Sequence, residues 1–221
     1  MLLSMNIHSI YSLIGRPFRN RRSARFRGTF GPCSVLDFGG AGAHWVNLPG
    51  FVVTLINLDG DVPTHGFDLI RADACSAPFP DNAFDLSFSN SLIEHVGNWE
   101  RQNELVSEMR RCGRMIYCQT PNFWFPIEPH LLMPFAHWIP GFCKSYFCIR
   151  YLTPLGLIAK PTKERVMSEY ASINLLTKRQ VIKLFPDCEI WEEKVLGLTK
   201  SFIAVDRGCA ARRTSTGLTS P

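Results

Sequence analysis

With 221 residues, 46% hydrophobic and 12% aromatic, the chain is long enough to bury a sizeable core and fold as one domain. The net charge of +5 comes from six arginines between Arg16 and Arg27 and from Arg212 and Arg213; the remainder is slightly acidic, which excludes a uniformly basic nucleic-acid binder. Eight cysteines without a CxxC pair or a Cys/His run fit reduced, mostly buried thiols of a cytoplasmic protein, and they assign neither a disulfide framework nor a metal.

The first fifteen residues lack the basic start, uninterrupted apolar run and small-residue cleavage site of a secretory signal. Residues 1–30 read as a basic helical segment. It either packs over one edge of the body with its arginines in water or rests on a membrane surface. No stretch is long and apolar enough to span a bilayer.

The body, residues 31–206, opens on Ser34 to Phe38, an apolar run fit for a strand buried on both faces. Gly39, Gly40, Ala41 and Gly42 follow as a tight turn that lets a ligand approach the backbone. Between this turn and the next strand, Val52 to Leu58, only Ala43 to Leu48 is available before Pro49-Gly50. A parallel pair normally needs a crossover of a dozen or more residues, so this one shrinks to about one helical turn. Further strands are expected at Asp68 to Arg71, Phe84 to Ser89 and Arg114 to Gln119. A helix over Trp99 to Cys112 precedes the last of these, its apolar face formed by Leu105, Met109 and Cys112, with Gly113 as its C-cap.

Residues 123–172 break the alternation. Their prolines and aromatics (Phe123, Trp124, Phe125, Phe135, Trp138 and Phe142) fit a cap of short helices and turns over the strand ends. Most of these rings are expected to form the cap's own core, with some facing the crevice to meet a sugar ring or a lipid chain. Leu131 to Phe142 is apolar enough for peripheral membrane contact. A helix from Thr177 to Leu184 and strands Glu189 to Val195 and Ser201 to Asp206 complete the body, and residues 207–221 read as a disordered tail. The fold class is α/β: a doubly wound Rossmann-like sheet of five parallel strands plus a C-terminal antiparallel pair, with an irregular helical cap.

In such sheets ligands bind at the carboxyl ends of the strands, where Asp37, Asp59, Asp73 and Asn90 all fall. An acidic residue just before the glycines, at Asp37, suits an ammonium-bearing ligand rather than a phosphate. A dinucleotide fingerprint is disfavoured, because Trp45 stands where its third glycine belongs. Asp59 lies at the spacing from which a carboxylate accepts hydrogen bonds from ribose hydroxyls.

The strings VLDFGGAG, Ala72-Asp73-Ala74 and PFPDNAFDLSFSNSLIEHV, with Asp59 between them, resemble a class I S-adenosylmethionine-dependent methyltransferase of the small-molecule branch, similar to quinone-biosynthesis enzymes. The resemblance covers about Ser34 to Asn122. It implies S-adenosylmethionine as cofactor, with Asp37 and the backbone of Gly39, Gly40, Ala41 and Gly42 at its methionine end and Asp59 on the ribose. Asp73 and Ala74 would meet the adenine, and Asn90 and Ser91 would line the sulfonium side. The short segment after Gly42 departs from the family and leaves Ala41 and His44 to help cover the cofactor's carboxylate.

For a hydroxyl acceptor, His130 and His95 are the candidate general bases, His130 because this class builds its acceptor pocket beyond the fifth strand. Each histidine also has a structural reading: His95 as a cap or packed side chain, His130 as an anchor of the cap through Glu128. The expected acceptor is a small molecule or a sugar- or lipid-linked intermediate, methylated at oxygen. Two other readings stand beside it. The arginine cluster admits a nucleic-acid-binding protein or methyltransferase, although Asn90-Ser91-Leu92 is not the motif expected for base amino groups. A non-catalytic scaffold of the same fold is the other.

Overall fold

The computed structural model describes residues 20–208, apart from 129, 132, 171 and 172. Most of the basic entry segment (1–19) and nearly all of the tail (209–221) lie outside the described residues.

Helix α1 is described from residue 20 to residue 29. Strands β1 (Ser34–Phe38), β2 (Val52–Asn57), β3 (Asp68–Arg71), β4 (Phe84–Asn90) and β5 (Gly113–Pro121) follow, with α2 (Trp99–Cys112) before the last. The cap holds the short pair β6 (Ile127–Glu128) and β7 (Met133–Pro134) and helices α3 (Tyr146–Leu152), α4 (Pro154–Ala159) and α5 (Lys163–Arg165). Helix α6 (Lys178–Leu184), β8 (Glu189–Val195) and β9 (Leu198–Asp206) close the body. The large sheet has the order β3-β2-β1-β4-β5-β9-β8. Its first five strands are parallel, and β9 and β8 are antiparallel. This is the expected architecture.

Strand periodicity divides the core. Leu36, Ile56, Ile116 and Cys118 point to the face covered by α2 and α6, where Leu105, Met109, Val181 and Leu184 are buried with them. Their sequence neighbours Val35, Leu55 and Tyr117 point to the opposite face. There the first crossover is shorter still than expected: residues 43–47 are successive turns, not a helical turn. The face is filled instead from α1, whose Phe26 is fully buried against Phe30, Trp45, Phe51, Phe88 and Tyr117 at centroid distances of 5.1–5.8 Å. Edge-to-face and tilted ring pairs of this kind supply much apolar area from few residues. The arginines of α1 stay at the rim, where Arg25 lies 3.6 Å over the Trp191 ring and Arg22 pairs with Glu193.

Gly113 follows α2 as anticipated, but its backbone is extended (φ −121°, ψ 145°) and begins β5. Glycine is needed here for proximity rather than for a left-handed cap. A Cβ would stand 2.4 Å from Ser87 Oγ and 2.5 Å from Ser87 N on β4. Gly113→Ala is therefore expected to destabilise the chain by about 1–3 kcal/mol through overpacking, read as a lower denaturant midpoint.

The cap's core differs from the expected aromatic one. Leu131, Ala136, Ile149, Leu155, Val166 and Phe142 form it. Trp124 is 62% exposed, Phe135 50% and Trp138 37%. Trp138 is held at the surface by the Phe123 carbonyl, which accepts its Nε1 at 2.9 Å and contacts His137 Nε2 at 2.7 Å.

Candidate active site

Parallel pairing brings the ends of β1, β2, β3, β4 and β5 to one edge, and with them all the predicted cofactor residues. The glycine turn after β1 is tied to β2: Gly39 N donates to Ile56 O (2.8 Å), and Asn57 Nδ2 donates to Gly40 O (3.3 Å). Gly39 and Gly42 have φ of 73° and 75°, a left-handed backbone that favours glycine. A Cβ on Gly42 would fall 2.3 Å from Thr64 O, and one on Gly40 would fall 2.0 Å from Asp37 Oδ2. Glycine is required at these positions because the protein's own atoms fill the space a side chain would take.

Asp37 is 3% exposed and lies directly beneath Gly40, its Oδ2 accepting the Trp45 indole N–H at 2.8 Å. Burial raises its carboxyl to about 7, against a smaller opposing effect of the indole bond. His44, expected beside the cofactor's carboxylate, instead turns into the aromatic cluster and stacks on Phe88 at 4.8 Å. Burial, then the Arg22 charge, lowers it to about 4. Trp45 and Asn57, which hold the turn from below and from the side, were absent from the sequence-based set. The indole in the third-glycine position was the available signal.

A proton held by Asp37 near neutrality has a definite consequence. The folded-state value lies above that of the unfolded chain, so this group's contribution to stability is present at low pH and lost as pH rises through about 7. The cofactor-free melting midpoint of Asp37→Asn, relative to wild type, should therefore rise between pH 5 and pH 8. A pH-independent difference would contradict a titrating, buried Asp37.

Asp59 is exposed two residues beyond β2, with its backbone N–H donating to Asn57 Oδ1 and its own Oδ1 accepting from Asp61 N. Asp73 follows β3. Its Oδ1 accepts from Cys75 N (2.9 Å) and its Oδ2 from Arg101 of α2 (2.6 Å). Burial works against the charge, but these bonds outweigh it and hold Asp73 below the usual carboxylate range. Ala74 beside it is buried. Asn90 ends β4 exposed, and Ser91 takes a left-handed φ of 59° and donates to Gln119 Oε1 at 2.9 Å.

Beyond β4 the two candidate histidines meet. His95 Nε2 and His130 Nε2 are 3.1 Å apart, although 35 residues separate them in sequence. Glu128, buried on β6, contacts His130 Nδ1 at 2.7 Å and also accepts the Leu131 backbone N–H. A carboxylate only accepts, so Nδ1 carries the hydrogen and neutral His130 presents an Nε2 lone pair to His95. Burial disfavours the imidazolium, yet Glu128 outweighs it and holds His130 above its ordinary value. Glu94, which the sequence reading did not single out, is buried in the same cluster. Its Oε2 accepts from Thr120 at the end of β5 (3.1 Å), and burial raises it to about 7.

A glycine turn stripped of side chains and an exposed carboxylate after β2 fit a nucleoside bearing an amino acid. Residues 49–115 match the family described as a methyltransferase domain, beginning just after the glycine turn. None of the curated proteins matches the chain. Among solved structures, a SAM-dependent methyltransferase from Methanosarcina mazei superposes with a TM-score of 0.53 at 15% identity, covering 82% of this chain and 95% of that one. The N-terminal domain of EvdMO1, crystallised in the presence of SAH and D-fucose, gives 0.53 at 14%, covering 86% and 82%. A 1,6-didemethyltoxoflavin-N1-methyltransferase from Burkholderia thailandensis, with its acceptor and S-adenosylhomocysteine bound, gives 0.53 at 11%, covering 89% and 83%. These likenesses are of fold. With the domain match over residues 49–115, the sheet order and the turn, they support a class I S-adenosylmethionine-dependent methyltransferase, with S-adenosylmethionine as the cofactor.

Proposed function

We propose that the chain methylates a hydroxyl oxygen of a small molecule or a sugar- or lipid-linked intermediate, and that the Glu128–His130–His95 cluster handles that hydroxyl. The observation that carries this reading is the 3.1 Å meeting of two imidazoles, one of them oriented by a buried carboxylate, just beyond the strand ends. A nitrogen acceptor with its own lone pair gives less use to such a group.

S-adenosylmethionine supplies a methyl group on a positively charged sulfur, open to in-line displacement. Gly39, Gly40, Ala41 and Gly42 would receive its methionine end through backbone groups, with Asp37 beneath, and Asp59 would take the ribose hydroxyls. Asp73 and Ala74 would border the adenine, and Asn90 and Ser91 the sulfonium. The protein's own work is alignment, which supplies a large share of the acceleration, and proton removal. The His130 Nε2 lone pair would take the hydroxyl proton as the oxygen–carbon bond forms and the carbon–sulfur bond breaks. A cavity of about 220 Å³ beside Glu128, walled by Phe123, Leu131, His137, Tyr170 and Asn174, supports an acceptor of modest size.

Radiolabelled cofactor, incubated with extract divided into lipid, sugar, small-molecule and polymer pools, tests the acceptor class. Label in an alkali-stable ether of a lipid, sugar or small molecule is expected; label confined to polymer or to nitrogen would overturn the reading. By calorimetry, Asp59→Ala should weaken cofactor binding about 10- to 100-fold, the loss of a charged hydrogen-bond pair with the ribose. Unchanged affinity would remove Asp59 from the site.

A further inference from the structure

We propose that Glu94, His95 and His130 form a site for one divalent transition-metal cation. The three side chains bring one carboxylate oxygen and two imidazole nitrogens within 4.8 Å of one another. On a single cation with bonds of about 2.0–2.2 Å, neighbouring donors stand about 3–4 Å apart. The Nε2–Nε2 separation of 3.1 Å already has that value. The carboxylate needs only a side-chain adjustment to join them.

A second observation points to a ligand. Glu94 is fully buried, and its Oε1 has no hydrogen-bond partner among the described residues. The Ser91 hydroxyl also faces this carboxyl, but its hydrogen goes to Gln119 Oε1 at 2.9 Å. A buried, unpartnered carboxylate oxygen is costly, and a cation is the group that offsets the cost most fully.

The surroundings are those of a supported ligand set. Thr120 fixes the far oxygen of Glu94, and Glu128 fixes His130 with Nδ1 protonated and Nε2 presented. A carboxylate behind a histidine is the usual outer support of a metal-bound imidazole. Two imidazoles and one carboxylate select zinc, manganese, iron or cobalt over magnesium or calcium, which prefer all-oxygen cages. Three protein ligands also leave positions open.

In function this deepens the preceding reading and rests on it: an acceptor hydroxyl bound at an open position is acidified by the cation. Its proton passes to solvent, the oxygen–carbon bond forms and the carbon–sulfur bond breaks. The two histidines then serve as ligands instead of as bases.

Cobalt(II) titrated into the chelator-stripped, full-length chain is the test, followed by visible absorption and calorimetry. One equivalent is expected, with tetrahedral or five-coordinate bands, and Glu94→Gln and His95→Ala should each weaken binding at least tenfold. S-adenosylhomocysteine affinity and melting midpoint, measured on the same variants, verify folding. Absence of saturable one-equivalent binding, or a Glu94→Gln variant that binds cobalt like wild type, would overturn the site. Equal turnover of stripped and loaded protein would overturn the cation's role and leave His130 as base. A loaded protein that methylates only nitrogen would instead sink the hydroxyl reading while the metal site stands.

Discussion

His130→Ala is expected to lower methyl transfer by about two to three powers of ten while cofactor affinity stays within a factor of about two. The loss is this large because the alanine removes the Nε2 lone pair that faces His95, and nothing else in the cluster carries one in that position. Glu128→Gln should act more mildly, by about 10- to 100-fold, because it leaves the imidazole in place and weakens only its orientation. Single-turnover rates, with cofactor binding by calorimetry on the same samples, separate chemistry from binding. A His130→Ala rate within threefold of wild type would return this histidine to the role of an anchor for the cap.

The second large effect is one of stability. Trp45→Ala should cost at least about 3–5 kcal/mol, the range for deleting a buried aromatic side chain, and that approaches the whole stability of many domains. Its indole is 1% exposed, packs edge-on against Phe26 and Phe88, and supplies the N–H that Asp37 accepts. Alanine would open a cavity and strand a carboxyl beneath the glycine turn. Trp45→Phe is expected to cost less, about 1–3 kcal/mol, since it keeps a smaller aromatic ring while losing the N–H and part of the packing. Denaturant titration of the three proteins measures both. Equal midpoints for Trp45→Phe and wild type would show that the indole bond contributes no net stability.

The sheet was readable because its strands obey simple local rules. Each is a short apolar run ending in a turn former, and polar residues at successive ends mark a common edge. The α2 helix was read to its first and last residue from its regular apolar stripe; in the structure Asn98 also caps it, its side chain accepting from Arg101 N. What escaped prediction depended on packing between distant residues. Gly113 does close α2, its N–H donating to Met109 O, but the reason a glycine is needed there lies across the sheet at Ser87. His44 looked like a ligand-facing group because it follows the turn, yet Phe26 and Phe88, from other elements, draw it inward. The cap's aromatics resembled a core by composition, while position put mainly aliphatic residues there with Phe142. At the site, His95 and His130 could be named singly. Their contact could not, because it is made only when the cap folds back over β4. Glu94 was hidden in plain view beside His95, and an acid next to a histidine at a strand end was the signal to read.

The cap leaves the sheet and returns to it at one place. Asn122, directly after β5, bridges to Leu176, and Phe123 N donates to Leu176 O at 3.0 Å. The fifty-odd residues between them thus form an excursion whose ends already touch. Closing a loop costs only a slowly growing entropy as its length increases, so such a gate accepts long or short, plain or elaborate inserts at nearly equal thermodynamic expense. The methyl-donor part and the acceptor part can then diverge at separate rates wherever the contacts between them, such as His95 with His130, are kept. For engineering, the Asn122–Leu176 bridge is the natural seam at which one acceptor module could be exchanged for another.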